Sequence, residues 1–429
     1  MMVGGQRRAL SRSAGFASGA VALAAVFLAS GTPIPLYARY RVEYNITDTD
    51  LAITTVAYLA ATALSLLMLG RLSDHLGRKR VGIAAVLIAT CALVVLMNMH
   101  TLPILILGRC LQGAACGMAS TALASWVIDL APASPGWLPA FLTGTVPPFA
   151  LPVGAMLSGA LAEYGPASRT LMFQLTAAVL VLLAVLLMFS RETVVRRAGA
   201  MRSLVPRVHV PEGRGRLLFA VGAAQVTTWS FSGFYQAFSP AITVDHLGTS
   251  NPLVIAVVFS SVVVLSPLGG LLAGGARKAT ALRAGLGVFV VAALIAVLAL
   301  HVGVIGPFLA ASFLAGIALG AVSAAGLATL LQCTAAADRA GLMATVYLIS
   351  YSGAAVPSLI ACQLAKTVEV SDIATGYAVL VTVAALTAAL TITRRRPRGE
   401  SRSGARTLAL SKSGRSNPDR SQQVGTLDV

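Results

Sequence analysis

Charged side chains are scarce in this sequence: Asp, Glu, Lys and Arg together make up 11% of its 429 residues, whereas hydrophobic residues make up 57%. Soluble globular chains carry about 25% charged residues, so this composition excludes an ordinary water-soluble fold. The two signs are also unequal, since 32 Lys and Arg residues face 15 Asp and Glu residues and give a net charge of +17. The chain therefore needs lipid as its solvent, and the positions of its few charges become informative.

Catalytic and metal-binding motifs are also missing. The five cysteines form no CxxC pair, no two histidines are spaced i, i+4, and neither HExxH nor GxxxxGK occurs. We therefore expect no enzyme activity, no cofactor and no bound metal. A non-transporting membrane sensor or enzyme is the alternative of a different class, but it would need a signalling domain or a catalytic constellation.

Long runs without Asp, Glu, Lys or Arg separate the charges, and each run is close to or beyond the roughly 20 residues that a helix needs to cross a bilayer. Only the fourth run is interrupted, by Arg109. Because the runs are apolar on every face, they predict an all-α integral membrane protein with twelve transmembrane helices. The runs are 14–38, 51–70, 81–99, 101–128, 130–162, 170–190, 217–244, 247–276, 284–300, 302–337, 340–365 and 373–393.

The basic residues indicate the orientation of these helices. If both termini are cytoplasmic, the cytoplasmic segments hold 27 of the 32 Lys and Arg residues, the outer loops hold four, and Arg109 lies in the membrane. This excess is the positive-inside signal of membrane proteins. We predict a multi-pass protein of the cell (inner) membrane with both termini cytoplasmic. The basic residues are dispersed between runs rather than gathered in one domain, which argues against nucleic-acid binding.

The twelve runs fall into two groups of six. A basic segment with seven arginines and two prolines separates the sixth run from the seventh. A shift of 199 positions places GRLSDHLGRK at 70–79 on GGLLAGGARK at 269–278, and internal repeats of this kind are typical of secondary transporters. We predict a cytoplasmic N-terminus (1–13), two six-helix bundles (14–190 and 217–393) joined by a cytoplasmic linker (191–216), and a disordered basic cytoplasmic tail (394–429) that contacts anionic lipid.

Two motifs resemble those of the major facilitator superfamily. The segment GRLSDHLGRK, between the second and third runs, is similar to the family's loop signature G-x-L-x-D-x-x-G-R-[KR]. In the fourth run, GRCLQGAACG at 108–117 resembles the family's R-x-x-Q-G pattern. The resemblance implies two pseudo-symmetric six-helix bundles and a secondary carrier that works by alternating access. The fifth run lacks the Gly-Pro and Gly-Gly dipeptides of the family's antiporter motif, so the direction of transport stays open.

The loop signature also implies a gate. In the family, the loop carboxylate holds the first half against the start of helix 11 in the outward-open state, and here Asp74 and Arg339 occupy those places. Asp129, at the inner end of the fourth run, is a candidate partner for Arg78. The alternative is a simple positive-inside loop, which would leave Asp74 and the framing glycines unexplained. The predicted gating residues are Gly70, Asp74, Gly77, Arg78, Lys79, Asp129 and Arg339.

Arg109 is the candidate binding residue within the membrane, where ionisable side chains are expensive and usually functional. The alternative is a structural arginine that bonds to backbone carbonyls or snorkels outward, because Arg109 falls in the outer third of the fourth run. Gln112 follows Arg109 at i+3 on the same helical face. Further polar stripes lie on the second, seventh and eleventh runs, and each could instead serve helix packing through hydroxyl groups. Together they predict a central pocket with amphipathic aromatic surfaces. The predicted substrate-binding residues are Arg109, Gln112, Gln225, Trp229, Tyr58, Tyr347 and Tyr351.

The first run contains no Asp or Glu, whereas many proton-coupled drug exporters of the family have an acidic residue there. A cavity with an arginine and no carboxylate should repel cations, so a neutral or anionic organic substrate is favoured. A multidrug efflux antiporter is the alternative within the same family. Proton coupling through Asp74 or Asp129 and facilitated diffusion both stay open. We expect the partners to be the small organic substrate, membrane lipids and, if transport is coupled, protons, and we expect a monomer.

Overall fold

The computed structural model describes residues 10–136, 138–166, 170–195, 197–205, 215–332, 334 and 338–393. In these ranges the chain forms helices and no strand, as the apolar runs predict. The predicted disordered tail lies outside the described residues. The α-helices are α1 (Arg12–Gly31), α2 (Tyr37–Tyr44), α3 (Asp48–Leu69), α4 (Leu72–Leu76), α5 (Arg78–Met97), α6 (Leu102–Leu130), α7 (Leu138–Tyr164), α8 (Leu171–Met188), α9 (Ala200–Ser203), α10 (Gly215–Ala241), α11 (Pro252–Ser261), α12 (Ser266–Gly274), α13 (Lys278–Val302), α14 (Ile305–Gln332), α15 (Arg339–Leu364) and α16 (Val370–Thr393).

Twelve segments of the described chain are helical, long enough and apolar enough to cross a membrane, which confirms the predicted number of spans. The first span comprises α1 and α2, and the eighth comprises α11 and α12. Many large apolar side chains face outward from the bundle, among them Leu182, Leu298 and Leu386. Such a surface would be costly in water and is suited to lipid.

Proline interrupts two spans that the sequence predicts as continuous. In the first span, α1 ends at Gly31 and a short 3₁₀ segment, Ile34–Leu36, leads into α2. In the eighth, a turn separates the end of α11 from Ser266, the first residue of α12. Pro267 has no N–H to donate to the carbonyl four residues earlier, which explains the break.

Glycine pairs permit close helix packing at equivalent places in the two halves. Gly113 and Gly117 of α6 lie directly against the backbone of α3, and Gly316 and Gly320 of α14 lie against the backbone around the α11–α12 turn. A Cβ at any of the four would meet a carbonyl oxygen of the neighbouring helix, so these positions accept only glycine. The nearest carbonyl oxygens belong to Tyr58, Thr62, Ser261 and Ser266.

The ends of the helices differ in charge. We call the end that carries Arg12, loop 70–80 and Lys278 the basic end, and the other the opposite end. Helices of the first and second halves meet at the opposite end, where Thr49 at the start of α3 contacts Cys362 near the end of α15. The Thr49 hydroxyl donates to the Cys362 carbonyl at 3.2 Å, and the Cys362 thiol donates to the Thr49 carbonyl at 3.3 Å.

Candidate functional site

Loop 70–80 forms a compact ion-pair network at the basic end. The short helix α4 ends at Gly77, whose φ of 101° lets the chain turn sharply into α5. Arg78, the first residue of α5, places Nη1 2.8 Å from Oδ2 of Asp129 and Nη2 3.6 Å from Oδ1 of Asp74. The Arg78–Asp129 contact expected from the sequence is therefore present in the structure, and its role in gating stays a prediction.

Asp74 is not buried in this arrangement, since 58% of its side chain is exposed. The residue predicted to pair with it, Arg339, begins α15, but its side chain lies outside the described part of the chain. The Asp74–Arg339 latch thus stays a prediction. The ion pair that the structure does show for Asp74 lies within the first half.

Glu192 holds the loop through hydrogen bonds to its backbone. The sequence did not predict this role. Oε1 of Glu192 accepts the backbone N–H groups of Arg78 at 2.9 Å and Lys79 at 3.3 Å, which are free donors at the start of α5. Lys79 in turn donates through Nζ to the carbonyls of Met188 and Ser190, at the end of α8. An added Cβ at Gly77 would collide with the Glu192 carboxylate. This collision is a second reason, besides the positive φ, why position 77 requires glycine.

Arg41 forms a second charged cluster, at the opposite end. Its Nη2 lies 3.3 Å from Oδ2 of Asp48 at the start of α3. Its Nη1 lies 3.2 Å from Oδ2 of Asp245, which belongs to a π-helical segment, Ile242–His246, after α10. Because Arg41 belongs to the first half and Asp245 to the second, this ion pair joins the two halves. The sequence assigned Arg41 only to an outer loop.

Arg109 lies in the first third of α6 (Leu102–Leu130) and is completely buried. Its Nη1 donates to the Ser30 carbonyl and to Oε1 of Gln112, both at 2.8 Å, and Nε2 of Gln112 donates to the Ala29 carbonyl at 2.8 Å. Nε and Nη2 of Arg109 have no hydrogen-bond partner among the described residues. The predicted i, i+3 pair therefore forms, and it anchors one side of the guanidinium to α1.

An aromatic ring of the first half contacts Arg109, and rings of the second half belong to the same hydrophobic cluster as that ring. The Tyr58 ring lies 4.4 Å from the Arg109 guanidinium carbon, in cation–π geometry. Trp229 of α10 and Tyr351 of α15 pack edge to face at 4.9 Å, and Tyr347 lies 6.5 Å from Tyr351. These rings belong to the same packed cluster as Tyr58. Arg109 thus contacts Gln112 and Tyr58 in the first half, whereas Trp229, Tyr347 and Tyr351 pack on one another in the second half.

Gln225 is the seventh predicted binding residue, and it is engaged within the second half. Its Nε2 donates to the Ser350 hydroxyl at 3.2 Å, and its Oε1 accepts from the Ser323 hydroxyl at 3.2 Å. These bonds join α10, α14 and α15 as polar links between membrane helices. The packing alternative that the sequence left open therefore describes this residue better than a free binding group does.

A cavity of about 600 Å³ opens at the basic end, away from Arg109. Arg12, Asp129, Arg191 and Glu192 contribute its charged lining, and every lining residue belongs to the first half or to the start of the linker. Among the residues that the structure describes, no group of three His, Cys, Asp or Glu side chains is placed to hold a metal ion.

The sequence of this chain matches the family model of the Major Facilitator Superfamily over residues 19–302, more than half of its length. The chain belongs to the Major Facilitator Superfamily. The comparison with curated proteins gives no match. Membership makes the protein a multi-pass membrane transporter, in agreement with the twelve apolar helices.

In this Major Facilitator Superfamily protein, the two motifs have distinct structural surroundings. Loop 70–80 lies in an ion-pair network at the basic end, whereas Arg109 and Gln112 lie buried beside α1. Gly113, next in the R-x-x-Q-G pattern, is the glycine that brings α6 against the α3 backbone under Tyr58. The pattern therefore places the arginine and the aromatic ring next to each other through backbone packing.

Proposed function

We propose that this protein is a secondary active transporter of a small organic molecule, neutral or anionic, which works by rocker-switch alternating access of its two halves. Arg109 carries the proposal. A completely buried arginine in a membrane helix is expensive, and here it lies beside the Gln112 amide and the Tyr58 ring of the same half. Substrate sites of secondary transporters lie near the midplane between the two repeats.

The conformation agrees with one state of such a cycle. We place the basic end in the cytoplasm, in the cell (inner) membrane, because it carries most of the Lys and Arg residues. The Arg41–Asp245 ion pair and the Thr49–Cys362 hydrogen bonds then join the halves on the outer side. In this orientation the contacts close the outer entrance and favour an inward-facing assignment.

The charge of the site separates the two transport alternatives. A multidrug efflux antiporter for cations would need a carboxylate to balance its substrate. Among the described residues, the polar contacts of Arg109 are with a carbonyl and an amide, and no Asp or Glu pairs with it. An uncompensated guanidinium in a low dielectric repels a cation by several kcal/mol, on the order expected at an effective dielectric constant near 20. A neutral or anionic substrate is therefore favoured, with proton coupling through Asp74 or Asp129 or facilitated diffusion as the modes of transport.

Reconstitution tests the proposal. Purified protein is screened by thermal shift against organic acids, sugars and drug-like compounds, because a bound ligand stabilises the folded state by mass action. Each stabilising compound is then followed in counterflow into proteoliposomes that contain wild type, Arg109→Ala or Arg277→Gln, the last being a control at an exposed arginine of the basic end. We expect counterflow in wild type and in the control and its loss in Arg109→Ala. If every bound compound enters no faster than into protein-free liposomes, the transport proposal is wrong.

A further inference from the structure

The guanidinium of Arg109 has one engaged side and one free side. Arginine offers five N–H donors in a planar fork. The two on Nη1 are bonded to Ser30 and Gln112, whereas the one on Nε and the two on Nη2 have no partner among the described residues. Nε and Nη2 form one edge of the guanidinium, so the Nε–H group and one of the two Nη2–H groups are parallel, whereas the second Nη2–H group lies on the neighbouring edge beside Nη1.

These free donors argue against a purely structural arginine. An arginine that only joins two helices gains by using its donors on carbonyl groups, because each buried polar group left unpaired costs about 1–3 kcal/mol. Arg109 is completely buried, yet it leaves a whole edge unpaired. The side chain is also held rigidly, since Gln112 is itself anchored to the Ala29 carbonyl. A fixed, unpaired donor edge is suited to an acceptor that arrives with a ligand.

The geometry of this edge matches a carboxylate. Two parallel N–H groups of arginine bind the two oxygens of a carboxylate in a bidentate pair, the strongest and most specific geometry available to this side chain. We propose that the Nε–Nη2 edge of Arg109 binds the carboxylate of an organic monoanion. This assignment rests on the transport function proposed above and specifies the class of its substrate.

Charge limits the ligand to a single carboxylate. One positive charge is present on Arg109, and among the described residues no acid is paired with it. A monoanion would neutralise this charge, whereas a dianion would leave a negative charge buried without a partner. The substrate thereby supplies the carboxylate that the membrane interior of this chain lacks.

The neighbouring rings suit the organic part of such an acid. Tyr58 covers one face of the guanidinium, and the Trp229–Tyr351 pair belongs to the same cluster from the other half. Rings of this kind offer apolar faces together with polar edges. A benzoate-like or arylacetate-like acid therefore fits better than a polyhydroxylated one.

Matched acid and amide pairs test the assignment on the wild-type, full-length protein in lipid nanodiscs. The probes are benzoate with benzamide, phenylacetate with phenylacetamide and hexanoate with hexanamide, with phthalate as a dianion and benzylamine as a cation. Equilibrium binding is measured by calorimetry. We expect at least one acid to bind tenfold or more tightly than its amide, and phthalate and benzylamine to bind more weakly than benzoate. Absence of any acid preference in all three pairs overturns the assignment.

Four variants locate the preference. Arg109→Gln should abolish it, and Arg109→Lys should reduce it, because lysine supplies a point charge without the fork. Arg277→Gln, at an exposed position, should leave it unchanged. Gln112→Glu keeps Arg109 and adds a carboxylate beside it, so it should weaken binding of the acid without weakening binding of the amide. This variant tests the proposal even if the Arg109 variants do not fold. A folded Arg109→Gln protein that still prefers acids contradicts the proposal.

Counterflow separates this inference from the transport function. If an amide or another neutral solute is taken up and acids are not preferred, the protein is a transporter and the carboxylate proposal is wrong. If acids bind with the predicted preference but none of them shows counterflow, the carboxylate proposal stands and the transport proposal is wrong.

Discussion

Arg41 and Asp245 join the two halves at the opposite end, with Nη1 and Nη2 of Arg41 both 3.2 Å from Oδ2 of Asp245. Arg41 contacts Asp48 as well, but that residue belongs to the same half. Of the two contacts of Arg41, the one with Asp245 must therefore break when the halves separate at this end, as must the Thr49–Cys362 hydrogen bonds. The ion pair is a candidate latch for the state described here.

Asp245→Asn should weaken this latch. The pair is partly exposed, 24% for Arg41 and 41% for Asp245, so its contribution is about 1 kcal/mol or less and the shift toward the other state is about fivefold at most. Spin labels at Val42 and Ser250, both exposed at the opposite end, report the distance between the halves. We expect a larger population of long distances, and recovery when Arg41→Asp is combined with Asp245→Arg. Lys366→Gln, whose bond to Gln363 lies within one half, is the control. An unchanged distance distribution in Asp245→Asn refutes the latch.

Asp74→Asn should bind ligand normally and transport it slowly. If Asp74 pairs with Arg339 only in the outward-open state, its neutralisation costs that state roughly 1–3 kcal/mol, in the range of a charge-assisted hydrogen bond. A closely balanced carrier would then move roughly 5- to 150-fold toward the inward-open state. Cysteine probes that line the cytoplasmic entrance should react faster than in wild type. The exchanged pair Asp74→Arg with Arg339→Asp should recover part of the rate, and normal transport by Asp74→Asn would reduce the loop to a topology signal.

Gly77→Ala should destabilise the protein at loop 70–80. Its φ of 101° is strained for alanine, which costs about 1–3 kcal/mol, and the new Cβ would also meet the Glu192 carboxylate. The midpoint of thermal unfolding in detergent should fall, whereas Gly287→Ala, at an open helical position of α13, should leave it unchanged or raise it. Combining Gly77→Ala with Glu192→Ala should cost less than the sum of the two changes, because the collision is relieved. Strict additivity would show that the two groups do not interact.

Single cysteines at Ser250 and Met201, in a background without native cysteines, should react from opposite sides of the membrane. Both positions are exposed, and they lie at the opposite end and in the linker, respectively. The expectation follows from the excess of Lys and Arg at the basic end. Impermeant maleimide applied to intact cells should modify only the cysteine at position 250. Labelling of both positions from outside contradicts the orientation.

The sequence predicted contacts best where helical spacing decides them. Arg109 and Gln112 are three residues apart on one helix, so their side chains had to be neighbours once the helix was recognised. The Arg78–Asp129 pair was also within reach of sequence reasoning, because both residues fall at the same end of predicted spans. The number of spans followed from apolar length alone.

Contacts that depend on tertiary packing were not predictable in this way. Glu192 caps α5 only because α8 ends beside the start of that helix, and no spacing rule joins positions 78 and 192. The Arg41–Asp245 pair requires the relative placement of the two halves. Gln225 shares a helical face with Trp229, but Ser323 and Ser350 from two other helices engage its amide. The sequence did not predict the turn between α11 and α12, because the valine and leucine residues of the turn are as apolar as the helices on either side.

The glycine contacts within each half determine how this molecule can move. Where Gly113, Gly117, Gly316 and Gly320 bring backbones together, no side chain is available to slide or change rotamer, so we expect the helices that they join to move as one unit. Two contacts between the halves are of another kind, the Arg41–Asp245 ion pair and the Thr49–Cys362 hydrogen bonds, which lie at helix ends and can open and close. We therefore expect the speed of the conformational cycle to be adjustable by substitutions at the rims of the bundle, far from the buried arginine and without loss of its ligand preference.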